Sequence, residues 1–434
     1  MLTSSDRPHG QNSGIFRRGI ETRTAFVNAT LIDGLGSVVE RGSVVVEDRL
    51  ILDVLAGPWA GQADRTIELS GHTLMPGLID AHTHLIGGDV LAVSDYNTSR
   101  RLNEPISMNA YRAVEAANRT LMAGFTTVRD VGSRDYADVQ LRDAIAQGLV
   151  PGPRIVACGV GITPTGGHVH MRARQADGRE ECIKAVREHV RAGVDGVKII
   201  GVTGGQATPG SNPLMAQFRR EELHAIIEEA HRWGRHVCGH AHGVEGITWA
   251  VEGGIDTIEH GQFLDDATAK LMAESGTVLV PTLANDLNRR RLEESGQLPE
   301  FQRNRAAELA AMGIVAPTAE ERMAHCRKYG VVVATGTDSG GNAIVLHGDN
   351  GAELVMLVEC GYSPMEAILA ATSVAAKAIR VDREVGSLQK GKVADLVAFG
   401  SNPLDDITVV SKIHGGSPTL VVKEGRIHRS PVAA

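Results

Sequence analysis

Eight short apolar runs recur between residues 76 and 380, most separated by a stretch with helical spacing, and no other feature limits the fold so strongly. The runs are "GLIDAHTHL", "FTTVRDVG", "PRIVACGVGI", "GVKIIGVTGG", "HVCGHAHG", "DTIEHG", "TVLVPTL" and "VVVATGTDSGG". Between them lie segments such as "ADVQLRDAIAQG", "REECIKAVREHVRAG", "RREELHAIIEEAHRWG" and "TWAVEGG", each closed by a glycine that can end a helix. Eight strand–helix units in about 300 residues predict an α/β protein built on a (β/α)8 TIM barrel. A doubly wound sheet is the alternative, but no GxGxxG opens a helix after the first strand.

The two ends of the chain have a different texture. Residues 24–75 contain "AFVNATLIDG", "GSVVVEDRLILDV" and "RTIELSGHTLMPG", where apolar residues alternate between turn formers. The same pattern returns in residues 383–434 as "ADLVAFGSNP" and "PTLVVKEGRIH". We therefore expect the termini to meet as one small β-sandwich beside a barrel spanning residues 76–382. Residues 1–23 are charged and lack the apolar centre of a signal peptide, so they read as a flexible extension.

Composition narrows the function. The formal charge is −8 and no basic patch is interleaved with aromatics, which argues against a nucleic-acid partner. There is no apolar run of about eighteen residues, so no membrane span is expected. The five cysteines show no CxxC spacing and fit a reducing cytoplasm rather than a disulfide framework.

Chemistry concentrates where the runs end. The first ends in His82-x-His84, and alternation along a strand points both imidazoles the same way. At the C-terminal end of a barrel strand that direction is the mouth, where active sites of this architecture sit. His240 and His242 end the fifth run, His260 the sixth and Asp338 the last. Four strand ends carrying only imidazole or carboxylate point to a divalent metal centre, with zinc the expected ion, although such ligands also accept manganese, cobalt or iron.

Lys198 lies inside the apolar run "GVDGVKIIGVTGG". An ammonium buried in a barrel strand is costly without a partner. Either Lys198 pairs with Asp338 or another carboxylate, or its amine has combined with carbon dioxide to give a carbamate, an anion able to bridge two cations. His168 and His170, in "TPTGGHVHM", are either structural or near the substrate. Arg129 either salt-bridges Asp130 or braces the barrel, with a direct substrate role less favoured. Asp80 shares the face of His82 and supports a ligand or forms a turn. The charged stretch 284–321 reads as a solvated helix pair or a lid.

These motifs in this order ("MPGLIDAHTH", "TTVRDVG", "GVKI", "GHAHG", "IEHG", "GTDSG" and the closing "VGSLQKGKVADLVAFGSNPLDDI") resemble the amidohydrolase superfamily over nearly the whole chain. The likeness is strongest to the branch of imidazolonepropionase-like prolidases, dipeptidases and ochratoxin-type amidases. The resemblance implies a (β/α)8 barrel with a terminal β-sandwich. It implies that His82, His84 and Asp338 hold one metal ion, and that carboxylated Lys198 bridges to a second held by His240 and His260. Spacing does not choose between His240 and His242; the family ligand comes first in His-Ala-His-Gly, which leaves His242, with His168 and His170, as substrate contacts.

The implied reaction is hydrolysis of an amide in a small carboxylate-bearing molecule: a dipeptide, an N-acyl amino acid or a xenobiotic amide such as ochratoxin. A metal-bridged hydroxide attacks the carbonyl and Asp338 carries the proton to the leaving nitrogen. Homo-oligomers are common in the family and one is expected here. The rival activities, a deaminase or a cyclic-amide hydrolase on the same barrel, generally use one metal and no bridging lysine. A barrel kept only as a binding scaffold typically loses ligands, and all six are present here.

Overall fold

The computed structural model describes residues 22–87, 104–205, 212–298, 303, 309–341 and 344–431. Residues 1–21 of the expected N-terminal extension and much of the glycine-rich segment after Lys198 lie outside the described residues, and Arg23, expected to end that extension, already begins the first strand. Strands β1 (Arg23–Ile32), β2 (Val38–Glu47), β3 (Leu50–Leu55), β4 (Arg65–Glu68) and β5 (Thr73–Pro76) come from the N-terminal part. They join β15 (Leu396–Phe399), β16 (Leu420–Lys423) and β17 (Arg426–Arg429) in one eight-stranded sheet ordered β17-β16-β15-β5-β1-β2-β3, with β4 on β1. Alternation puts Phe26, Leu31, Val44, Ile51, Leu74, Leu396 and Val422 into a common apolar core. This sheet positions the site directly, because β5 runs through Gly77 into the first barrel strand, β6 (Leu78–Thr83).

The barrel continues with β7 (Phe125–Asp130), which pairs in parallel with β6, and β8 (Arg154–Ala157), which pairs in parallel with β7. Past a bend at Gly159 the third strand resumes as β9 (Ile162–Thr163), flanked by the short β10 (Arg174–Gln175). β9 then pairs with β11 (Gly196–Ile199), and β12 (His236–Ala241), β13 (Thr257–His260) and β14 (Val278–Val280) follow in register. Helices between the strands bury one face against the sheet, as Leu223, Ile226, Ile227 and Ala230 do from the helix Arg220–Arg232. Among the described residues, no helix is long and apolar enough to cross a membrane.

The eighth run does not form the regular strand its apolar pattern predicts. It closes the barrel through single bridges, Val333 to Leu279 and Ser339 to Thr83. Backbone bonds run from Ala334 N to Leu279 O (2.9 Å), from Ala81 N to Thr335 O (2.9 Å) and from Thr337 N to His82 O (3.1 Å). Two local features interrupt the ladder. Asp338 has a left-handed backbone (φ 59°), and Gly336 lies so close to β6 that a Cβ there would stand 2.7 Å from the Cβ of His82.

Candidate metal centre at the barrel mouth

Strand alternation and the ends of β6 and β13 deliver a ring of imidazoles to one end of the barrel. His82 and His84 converge with Asp338: Asp338 Oδ1 is 3.5 Å from His82 Nε2 and 3.2 Å from His84 Nε2. One donor atom from each of the three lies within 4.8 Å of the others, a spacing that fits a shared cation. The rings continue the cluster from His82 to His260 (centroids 4.9 Å apart), from His260 to His240 (4.5 Å) and from His240 to His242 (4.6 Å). His168 stacks on His240 at 4.2 Å. His170 is not brought into this cluster; its Nδ1 bonds the Gly167 carbonyl at 3.1 Å.

Three of the histidines have Nδ1 tied to an oxygen. His84 Nδ1 faces the carbonyl of Gly132 at 3.2 Å, and His82 Nδ1 faces Glu259 Oε2 at 2.5 Å. His260 Nδ1 lies 2.8 Å from the hydroxyl of Thr282, which itself donates to the Pro281 carbonyl and so must accept from the ring. An Nδ1–H engaged in this way leaves the Nε2 lone pair for a metal. His240 Nε2 is buried with no hydrogen-bond partner among the described residues.

Lys198 sits on β11 opposite Cys238 of β12, 1% exposed. Its Nζ has no hydrogen-bond or ion-pair partner among the described residues, so the expected alternative of a salt bridge to Asp338 or another carboxylate is not what the fold provides. The charge nevertheless acts on His82, His240 and His260, which places the amine among the rings. An orphaned buried amine beside imidazoles and a carboxylate is a donor set that fits divalent cations once the amine is made anionic.

At His84, His240, His260 and Asp338 the electrostatics favour ligand forms. Burial, then His168, pushes His240 well below the usual imidazole range, and burial with His82 does the same for His260. Burial also lowers His84. For His82, burial and Lys198 oppose protonation, but the Asp338 and Glu259 carboxylates offset them and raise its pKa. Burial likewise opposes ionisation of Asp338, yet its bonds to His82 and His84 hold it well below the usual carboxylate range. Neutral imidazoles and an ionised carboxylate are the forms that coordinate metal.

Backbone strain collects at the same place. Val169, His260, Thr282 and Asp338 all have positive φ, between 53° and 72°. Such conformations cost about 1–3 kcal/mol each and persist where surrounding contacts enforce them, most often at functional sites.

Of three supporting residues, Arg129 takes the bracing one of its two expected roles, and two were not foreseen. Arg129 does not pair with Asp130; its Nη2 bonds Glu259 Oε1 at 2.8 Å and its Nε bonds the Ala81 carbonyl at 2.7 Å. Asp130 instead accepts from the backbone of Leu85 and Gly132. Glu259 itself was missed, although it is, like Lys198, a charge inside an apolar run. Asn285 opens the helix Ala284–Glu294, and its Nδ2 lies 3.4 Å from Asp338 Oδ2. The start of the 284–321 stretch is therefore a wall of the site, with Ala284 and Leu287 buried behind it; residues 299–302 and 304–308 of that stretch lie outside the described residues. Asp80 ties the first strand to the last, accepting from His82 N (3.0 Å), Thr337 Oγ1 (2.6 Å) and Asn350 Nδ2 (2.7 Å).

Known proteins resemble this chain in sequence and fold. Residues 73–428 match the family described as "Amidohydrolase family". An ochratoxinase from Aspergillus niger is 30% identical over 464 aligned positions, covering 98% of this chain and 92% of that protein. A solved Xaa-Pro dipeptidase with methionine bound in its active site is 34% identical, with a TM-score of 0.82 over 94% of this chain and 100% of that one. A prolidase solved with N-methylphosphonate-L-proline is 30% identical, also at 0.82, with 94% and 100% covered. With the family match running from β5 through the barrel to β17, this chain belongs to the amidohydrolase family and is a hydrolase acting on C–N bonds.

Proposed function

We propose that the chain is a binuclear amidohydrolase that cleaves the amide bond of a small molecule ending in an amino-acid carboxylate, such as a dipeptide, an N-acyl amino acid or a mycotoxin amide. The observation that carries the binuclear reading is the Lys198 amine, buried without a protein partner among the imidazoles. In its neutral form that amine can add to the carbon of carbon dioxide and release a proton, and the resulting carbamate replaces an isolated cation with a two-oxygen anion. His82, His84 and Asp338 would hold one ion, His240 and His260 the other, and the carbamate would bridge them. The pair, with zinc as the favoured ion, would supply Lewis acidity at the scissile carbonyl and water acidified toward neutral pH.

The chain's own residues do the rest. Asp338 accepts the proton of the attacking water and passes it to the leaving nitrogen. Asn285 steadies the Asp338 oxygen that faces away from His82 and His84. His168 and His242, stacked around His240 and His260, are placed to orient the substrate's polar end. The relatives support the substrate class: one is an Xaa-Pro dipeptidase, one a prolidase holding a proline derivative and one an ochratoxinase.

The test is a screen of dipeptides, N-acyl amino acids and ochratoxin with the wild type and Asp338→Asn. Turnover of at least one member is expected in the wild type, falling by about 10³-fold or more in the variant with an unchanged circular dichroism spectrum. Wild-type-like rates in Asp338→Asn would overturn the role given to that residue.

A further inference from the structure

Among the three candidate metal-ligand histidines whose Nδ1 is tied, His82 alone is tied to a charge. His84 faces a peptide carbonyl and His260 a hydroxyl, whereas His82 faces the Glu259 carboxylate, which is fully buried. An ionised acceptor makes a stronger hydrogen bond than a neutral one and leaves the far nitrogen more basic. A carboxylate can stay ionised at such depth only with a counter-charge, and Arg129 supplies it, itself 0% exposed. Thr257 Oγ1 donates to the same Glu259 oxygen at 2.5 Å.

Arg129 reaches in two directions. One nitrogen holds Glu259 on β13, and another holds the carbonyl of Ala81, the residue before His82 on β6. A single guanidinium on β7 thus fixes both the backbone that carries His82 and the group behind its ring. Burying two charges costs several kcal/mol per ion before their attraction is counted, and apolar residues would fill this space more cheaply. A role in aiming His82 accounts for that expense.

We propose that Glu259 is a positioning residue for the first metal site: held by Arg129, it keeps the proton on His82 Nδ1 and presents Nε2 as the most basic imidazole of the site. This rests on the reading of His82 as a metal ligand. The site is asymmetric, since among the described residues no comparable carboxylate is bonded to His240.

The experiment measures zinc affinity by chelator competition on metal-depleted protein reconstituted with bicarbonate, for wild type, Glu259→Gln and Arg129→Lys. Glu259→Gln should weaken one of the two ions by about 10–100-fold and leave the other unchanged. Arg129→Lys, which keeps the charge but loses the fork, should weaken the same ion less. A lowered unfolding temperature with both affinities unchanged would make the pair a mere barrel brace and overturn the proposal.

Should Glu259→Gln fail to fold, histidine-selective ¹⁵N spectra of the wild type decide, with the His82 signal assigned by its loss in His82→Asn. A slowly exchanging proton on Nδ1 is expected, and a sole proton on Nε2 would refute the proposal. If His82→Asn keeps both ions at full affinity, it is the ligand reading of His82 that has failed. The ¹⁵N spectra would still report separately on Glu259.

Discussion

The two halves of the barrel mouth are each built around two histidines but are finished differently. On the His82–His84–Asp338 side every group meets protein: the imidazoles are tied at Nδ1, and Asp338 is held by both rings and by Asn285. On the Lys198–His240–His260 side only His260 is secured in this way, by Thr282; Lys198 Nζ and His240 Nε2 are buried without partners among the described residues. A buried unpaired polar group costs about 1–3 kcal/mol, more if charged. The first half is therefore preorganised by the fold, while the second carries a stability cost that carbamate formation and ion binding would relieve.

Replacing the orphaned amine should break this contrast most visibly. Lys198→Met keeps the length of the side chain and removes the buried donor, so metal-depleted protein should become more stable by about 1–3 kcal/mol while losing activity. Denaturant unfolding in chelator checks it. A destabilised metal-free variant would mean that Lys198 is already well accommodated, and the contrast between the halves would disappear.

A smaller effect sharpens the description of the braced half. Asn285→Ala removes one hydrogen bond, worth about 0.5–1.5 kcal/mol, from the Asp338 oxygen turned away from the histidines. It should lower kcat by roughly 2–10-fold with little change in KM and no loss of bound metal. A change confined to KM would make Asn285 a substrate contact instead.

The same contrast explains what was legible in the sequence. Apolar runs ending in His or Asp pointed to the barrel and to His82, His84, His260, Asp338 and the His240–His242 pair as candidate ligands, because strand alternation and the rule that sites sit at strand C-termini are local patterns. The choice of His240 and the ligand role of Lys198 came from the family resemblance. The partners behind those ligands are not local. Arg129 and Glu259 are 130 positions apart and meet only because β7 and β13 face each other across a closed barrel. The sequence left Arg129 either paired with Asp130 or bracing the barrel, and tertiary geometry selects the brace. Asn285 lay hidden in a charged stretch whose first turn reaches the site. His170 shares a motif with His168, but the positive φ at Val169 between them turns the two side chains to different surroundings. The eighth strand is apolar enough to be recognised, yet its ladder is broken where Gly336 and Asp338 serve the site.

Elemental analysis of metal content, on wild type and Lys198→Met purified side by side with bicarbonate present, tests the central claim most directly. A lysine-bridged pair predicts about two ions per wild-type chain, falling to one or none in the variant. One ion in both proteins would contradict the bridge and turn attention to deamination or cyclic-amide hydrolysis on the same barrel.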